Sequence, residues 1–85
     1  EYWSGKTVIV TGASGGLGFS IAEAFVKAGA NVVLAARSAG PLEAAVAKLA
    51  ALGQGAVLGV PTDVLKDDDV VNLVARSIER FGRID

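Results

Sequence analysis

Apolar and polar residues follow each other along this 85-residue chain in blocks that predict a strand and then a helix, three times over. Short, continuous apolar runs cover residues 6–10, 31–36 and 56–60, and such runs are typical of strands buried on both faces. The third run is the weakest, because Gly59 interrupts it. Since the connections are short, the order predicts an α/β fold with a parallel sheet and crossover helices.

The helical segments carry apolar residues at a spacing that predicts which side faces the sheet. The predicted inward positions are Leu17, Ile21, Phe25 and Ala28 in the first helix, Leu42, Ala45, Val46, Leu49 and Leu52 in the second, and Val70, Val71, Val74, Ile78 and Phe81 in the third. Gly29, Gly53 and Gly82 are expected to end these helices, and Pro41 to lie in the first turn of the second. We interpret the three aspartates at 67–69 as helix capping.

The composition of the chain limits the classes of protein to which it can belong and the kinds of partner that it can bind. The chain is 52% hydrophobic with a mean hydropathy of +0.50, which is apolar for one small domain, so we expect a partner to cover part of its surface. A net charge of −1 argues against binding to a nucleic acid or an anionic membrane. The chain has neither cysteine nor histidine, and no metal site is expected. No apolar run approaches a membrane span and the first residues do not resemble a signal peptide, so a cytoplasmic location is expected.

The segment from Thr11 to Gly18 contains four glycines in eight residues, between a predicted strand and a predicted helix. The free N–H groups of a helix start favour an anion, and glycine lets the backbone approach a pyrophosphate closely. The dinucleotide fingerprint G-x-G-x-x-G does not fit, because Ile21 occupies the third glycine position. The observed spacing is T-G-x-x-x-G-x-G, with Gly12 and Gly16 inside it. The alternative is a turn that serves only tight packing.

This glycine spacing resembles that of the short-chain dehydrogenase/reductase family. The resemblance continues through Ala36-Arg37-Ser38, Asp63-Val64 and the F-G-R-I-D at 81–85, and so covers nearly the whole chain. It implies a Rossmann-like, three-layer α/β fold with a partial doubly wound parallel sheet. Residues 1–85 would form the N-terminal part of a single NAD(P)-binding domain, with no second domain. The loop residues that it assigns to the cofactor are Gly12, Ser14, Gly15, Gly16, Leu17 and Gly18. A P-loop is rejected, because the Gly5-Lys6-Thr7 segment precedes its strand.

The choice of nucleotide depends on the end of the second predicted strand. There the chain has Arg37 and Ser38 and no carboxylate, and the arginine fork suits the 2′-phosphate of NADP. We therefore expect NADP, with NAD as the second choice, although Gly15 stands where many NADP-preferring relatives carry another basic residue. The alternative is that Arg37 is merely a solvated charge. The resemblance implies that Asp63 accepts a hydrogen bond from the adenine amino group and that the backbone N–H of Val64 meets the ring; a turn residue is the alternative for Asp63.

The resemblance implies hydride transfer between the nicotinamide and a small-molecule carbonyl or alcohol. The family's catalytic serine, tyrosine, lysine and asparagine lie beyond its fourth strand, so no catalytic residue is expected in this chain. Tyr2 and Lys6 match Y-x-x-x-K in letters only, because Gly5 and the following strand exclude the helix that this motif needs. Two functions stay open: the cofactor-binding part of an NADP-dependent oxidoreductase, and a non-catalytic nucleotide-binding or interaction module. The substrate, the direction of reaction and the oligomeric state also stay open, with a homo-oligomer among the options.

Overall fold

A computed structural model describes residues 4–12, 16–52 and 55–84. Three parallel strands alternate with three helices, and the central strand is the second one in the chain. The elements are β1 (Thr7–Thr11), α1 (Gly16–Lys27), β2 (Asn31–Ala36), α2 (Ala39–Ala50), β3 (Val57–Pro61) and α3 (Asp67–Phe81). The predicted alternation of strand and helix is confirmed, with β1 and β3 each displaced by one residue toward the C-terminus.

Two apolar clusters cover the two faces of the sheet. Val32, Leu34 and Ala36 of β2 face α1 and α2, whereas Val33 and Ala35 face α3. All five of these residues are buried, as expected for a central parallel strand covered by helices on both sides. The chain therefore has the predicted three-layer, Rossmann-like architecture, with a partial doubly wound parallel sheet as its middle layer.

The first strand is less buried than its apolar run predicts. Thr7 and Val10 are buried, but Val8 and Ile9 are only half-buried. Since α3 packs against β2 and β3, the α3 side of β1 is covered only in part. The expectation that both faces of this strand are buried is therefore wrong for β1 and correct for β2.

The inward face of α1 is displaced by one residue from the prediction. Ala22 and Val26 are completely buried, whereas Leu17 is 77% and Ile21 43% exposed. Phe25 is half-buried against the same cluster, as predicted. The small Ala22 side chain lets α1 lie close to the sheet, with Phe19 and Phe25 half-buried beside it and Leu17 and Ile21 exposed.

The face of α3 that contacts the sheet differs from the predicted apolar stripe, although Phe81 belongs to both. Leu73 and Ser77 are its buried residues, and Phe81 packs half-buried against the same side of the sheet. Ser77 tolerates burial because its Oγ donates a hydrogen bond to the carbonyl of Leu73 at 2.7 Å. The other residues of the predicted stripe are exposed: Val70, Val71, Val74 and Ile78. Three of them, Val70, Val74 and Ile78, form an apolar row at i, i+4 and i+8 beside the buried row; whether a partner covers it stays a prediction.

The prediction for α2 is largely confirmed. Leu42, Ala45 and Leu49 are buried and Val46 is half-buried, but Leu52 lies exposed in the turn after the helix. The helix begins two residues before Pro41, which still lies in its first turn, where its missing N–H would have no helical partner. Glycines end the other two helices as predicted: Gly29 and Gly82 have φ values of 87° and 79°. Gly53 lies outside the described residues.

The glycine within β3 lets α2 pack closely on the sheet. A Cβ placed on Gly59 would lie 2.7 Å from Cγ2 of Val46 and 3.3 Å from Cγ of Leu42. Both side chains belong to the α2 surface that covers β3. The interruption of the apolar run is therefore a packing requirement and does not weaken the strand assignment.

We predict that Gly59→Ala lowers the free energy of unfolding by about 1–3 kcal/mol, because the added methyl overpacks the contact with α2. Gly40→Ala is the matched control, since a Cβ there would meet nothing within 4 Å. That substitution is expected to raise stability by about 0.4–1 kcal/mol. Urea unfolding of both variants tests the account, and equal effects of the two substitutions would contradict it.

Candidate functional site

A cleft of about 480 Å³ lies at the carboxyl ends of all three strands. Its lining residues are Thr11, Gly12, Ala35, Ala36, Arg37, Ser38, Thr62 and Val64. In open parallel sheets, ligands bind outside the carboxyl ends of the strands. A second cleft of about 270 Å³ lies between α2 and β3 and contains none of the predicted site residues.

The turn that leaves β1 brings bare backbone to this cleft. Gly12 has a φ of +65°, and its N–H donates to the carbonyl of Ala35 at 2.8 Å. A Cβ on Gly12 would meet nothing within 4 Å, so the need for glycine in this fold is conformational. Ala35 and Ala36 line the cleft with small side chains, and this part of the cleft is therefore lined by backbone and methyl groups.

The later glycines of the loop form the start of α1. Gly16, Leu17 and Gly18 are its first three residues, and the Oγ of Ser20 donates to the carbonyl of Gly16 at 3.0 Å. None of these three is among the residues that line the cleft. Their position at the helix N-terminus gives them N–H groups without partners inside the helix, the arrangement that attracts anions. Ser14 and Gly15, also predicted for the cofactor, lie outside the described residues.

Arg37 and Ser38 follow β2 and both line the cleft. The Arg37 side chain is 76% exposed, and its Nε lies 4.0 Å from Oδ2 of Asp63. This distance allows electrostatic attraction but is too long for a hydrogen bond, so Asp63 does not occupy the N–H donors of the guanidinium. Ser38 is the N-cap residue of α2, whose residues are all described, and its side chain makes no capping hydrogen bond there.

Asp63 lies beside the cleft and is held on several sides. Its N–H donates to Oδ2 of Asp69 at 2.9 Å, and its Oδ1 accepts from the N–H of Leu65 at 3.0 Å. Its carbonyl accepts from the N–H of Lys66 at 2.9 Å. Asp63 therefore forms a turn, as the alternative proposed, and also places its second carboxylate oxygen near Arg37. It is not itself a lining residue, whereas the adjacent Val64 is.

The interpretation of residues 67–69 as helix capping is wrong for Asp69. Its carboxylate binds the N–H of Asp63, which lies six residues earlier and outside the helix. The N-cap residue of α3 is Lys66, without a side-chain capping bond, and its carbonyl accepts from the N–H groups of Asp69 and Val70. Sequence reasoning also missed Thr62, which lines the cleft and whose N–H donates to the carbonyl of Ala36 at 2.8 Å.

A metal site and the pair of Tyr2 and Lys6 are the other kinds of chemistry to consider in this chain. No group of three or more histidine, cysteine, aspartate or glutamate residues there could hold a metal ion. Tyr2 lies outside the described residues. Lys6 immediately precedes β1, at the amino ends of the strands, whereas the cleft lies at their carboxyl ends. Among the helices of the described segments, none is both long and apolar enough to cross a bilayer.

A parallel sheet lies between two layers of helices, with a glycine turn and a cleft at the carboxyl ends of its strands. This is the architecture of the nucleotide-binding α/β proteins. The family model described as short chain dehydrogenase matches residues 6–85. The chain therefore belongs to the short-chain dehydrogenase family, as its glycine spacing indicated.

Curated relatives share this sequence over nearly the whole chain. An 11-beta-hydroxysteroid dehydrogenase A of Sesamum indicum is 42% identical over 82 residues, which are 96% of this chain and 24% of the relative. An L-rhamnose 1-dehydrogenase (NAD(P)(+)) of a Sphingomonas species is 43% identical over 82 residues, 95% of this chain and 32% of the relative. The chain thus spans about a quarter to a third of the length of these two proteins.

Solved structures share the fold. A short chain dehydrogenase from Mycobacterium smegmatis superposes with a TM-score of 0.93 at 36% identity, over 98% of this chain and 35% of that one. A family member from Burkholderia phymatum, in complex with NAD, gives 0.92 at 36% identity, over 96% of this chain and 29% of its own. The three-strand arrangement is therefore the same as in considerably longer family members.

We predict that Gly12→Ala lowers the free energy of unfolding by about 1–2 kcal/mol, because alanine is strained at a positive φ. Gly16→Ala is the control: a Cβ there meets nothing within 4 Å and its φ is not positive. It is expected to change stability by less than about 0.5 kcal/mol. Urea unfolding compares them, and a cost at Gly16 as large as that at Gly12 would refute the conformational explanation.

Proposed function

We propose that the protein is an NADP(H)-dependent oxidoreductase of the short-chain dehydrogenase/reductase type, and that these 85 residues form the cofactor-binding part of a single dinucleotide-binding domain. The observation that carries the proposal is the position of Arg37 and Ser38 in the cleft, next to the backbone turn at Gly12. A permanent cation, a hydroxyl and an uncrowded glycine turn together form a suitable environment for a phosphorylated ribose.

Three groups of residues, some lining the cleft and some beside it, would each bind one part of the cofactor. Gly12 and the first turn of α1, with Ser14 and Gly15 of the same loop, hold the pyrophosphate. Arg37 and Ser38 hold the 2′-phosphate. Asp63 and Val64 hold the adenine, through a carboxylate oxygen and a backbone N–H. This order follows the carboxyl ends of β1, β2 and β3.

The preference for NADP over NAD rests on charge. A site for NAD uses a carboxylate near the end of the second strand to bind the ribose 2′-hydroxyl, and this chain has Arg37 there. Asp63 is the nearby acid, but it follows β3 and is assigned to the adenine, so it does not occupy the position of that carboxylate. The relatives do not decide between the nucleotides, since one is named NAD(P)(+) and one was solved with NAD.

The bound cofactor would supply or accept a hydride, and the substrate would be a small carbonyl or alcohol. The relatives quoted above are dehydrogenases by name. We assign no catalytic residue to this chain. Proton transfer and substrate selection are placed in the additional length that the family members have.

We predict that the chain binds NADP⁺ at least about tenfold more tightly than NAD⁺, and that Arg37→Ala removes this preference. Loss of a hydrogen bond to a charged group costs about 1.5–3 kcal/mol, so the NADP⁺ dissociation constant should rise roughly 10- to 150-fold. NAD⁺ binding should change less than about twofold. Arg76→Ala, at an exposed arginine of α3, is the control and should leave both affinities unchanged. Calorimetric titration with amide NMR provides the measurement.

The outcomes separate the parts of the proposal. Equal affinity of the unaltered chain for both nucleotides would refute the role of Arg37 while retaining the glycine turn as a binding site. A folded chain that binds neither nucleotide would refute the cofactor assignment itself.

We further predict that the 85-residue chain alone, although it binds NADP⁺, does not oxidise or reduce a panel of alcohols and carbonyls. The measurement is the absorbance of NADPH at saturating cofactor, with an active full-length family member as the positive control. Turnover by the chain alone would show that catalytic groups lie within it. A longer protein that contains this chain and binds the cofactor but remains inactive on every substrate class would favour the non-catalytic module.

A further inference from the structure

Asp69 connects the start of α3 to the loop that follows β3. It is half-buried, whereas Asp67 and Asp68 in the same turn are exposed. Its Oδ2 accepts a hydrogen bond from the N–H of Asp63 at 2.9 Å. A carboxylate acceptor makes this a charge-assisted bond, which is stronger than one between neutral groups. The bond ties two segments together and does not cap the helix.

The bond lies where the pairing between β2 and β3 ends. The N–H of Thr62 donates to the carbonyl of Ala36 at 2.8 Å, continuing the sheet pairing one residue beyond β3. At the next residue, the N–H of Asp63 turns to Asp69. Asp69 therefore helps to determine the orientation of the peptide between Thr62 and Asp63, where the chain leaves the sheet and enters the loop beside the cleft.

This orientation affects the groups assigned to the adenine. The Oδ1 of Asp63 is held by the N–H of Leu65 at 3.0 Å, while its Oδ2 lies 4.0 Å from Nε of Arg37. The next residue, Val64, lines the cleft. A rotation of the Asp63 backbone would move both the carboxylate and the Val64 N–H. The side chain and the peptide that carries this N–H are both attached to the Cα of Asp63.

We propose that Asp69 is a positioning residue for the adenine end of the cofactor site, acting through its bond to the backbone of Asp63; this inference rests on the proposed function. Because the adenine is common to both nucleotides, Asp69 sets the affinity for NAD⁺ and NADP⁺ alike and not the choice between them. That distinguishes it from Arg37, which acts only on the nucleotide that carries the 2′-phosphate.

Three variants of the 85-residue chain test the proposal. Asp69→Ala removes both the acceptor and the charge and should raise the dissociation constants of NADP⁺ and NAD⁺ by the same factor, about 5- to 20-fold. Asp69→Asn removes the charge but keeps an oxygen acceptor, and should restore affinity to within about threefold of the unaltered chain. Asp68→Ala removes a charge from the same helical turn and should leave affinity unchanged, which controls for the helix dipole.

Amide NMR reports directly on the hydrogen bond between the Asp63 N–H and the Asp69 carboxylate. In Asp69→Ala the amide proton of Asp63 should move upfield and exchange faster, while in Asp68→Ala it should not. In the unaltered chain, a scalar coupling across the hydrogen bond, from the Asp63 nitrogen to the Asp69 carboxyl carbon, should persist when NADP⁺ is bound. This last measurement needs no substitution and remains informative if a variant fails to fold.

Failure of this inference differs from failure of the proposed function. If the unaltered chain binds neither nucleotide, the proposed function is wrong. If it binds NADP⁺ but Asp69→Ala binds equally well, or Asp68→Ala is equally impaired, the role of Asp69 is wrong. Loss of the coupling on binding of NADP⁺ would also overturn it.

Discussion

The parallel register of β2 with its two neighbours is the constraint on which the rest of the structure depends. Thr11 pairs with Ala35, and Ala36 pairs with Pro61, so the three strands end at nearly the same level. Segments that are distant in sequence therefore emerge together, and the cleft is formed where they meet. A slip of one residue in either pair would exchange the residues that face the two helical layers.

Small residues allow the layers to pack closely enough to keep this register. Ala22 brings α1 onto the sheet, and Gly59 makes room for Val46 and Leu42 of α2. Some large apolar residues of α1 and α3 lie outside these contacts, and Leu17 and Val71 are strongly exposed. Function and packing therefore use glycine differently: Gly12 is needed for its backbone conformation, Gly59 for the space that a side chain would occupy.

The kind and order of the elements could be predicted from the sequence, because buried parallel strands and amphipathic helices have different periods. The face of α3 that is buried against the sheet could not be predicted in this way. Hydropathy favoured the valines, but the sheet contacts the row that contains Leu73 and Ser77, and the Ser77 hydroxyl is satisfied inside its own helix. Local spacing predicts an apolar stripe, while its covered part depends on where the helix crosses the sheet.

In the candidate site, too, some residues could be predicted from the sequence and others could not. The glycine turn and Arg37 could be predicted, since each follows directly from its position after a strand. Asp69 could not, because its contact with Asp63 depends on how the chain returns after β3. Local rules indicate a helix start at residues 67–69 and contain no information about the loop that the carboxylate meets.

The most direct test of the central claim is a crystal structure of this chain with NADP⁺. The account predicts the 2′-phosphate in hydrogen-bond contact with the Arg37 guanidinium and the Ser38 hydroxyl, and the adenine beside Asp63 and Val64. A cofactor bound with its 2′-phosphate in solvent, or bound away from the carboxyl ends of the strands, would contradict it.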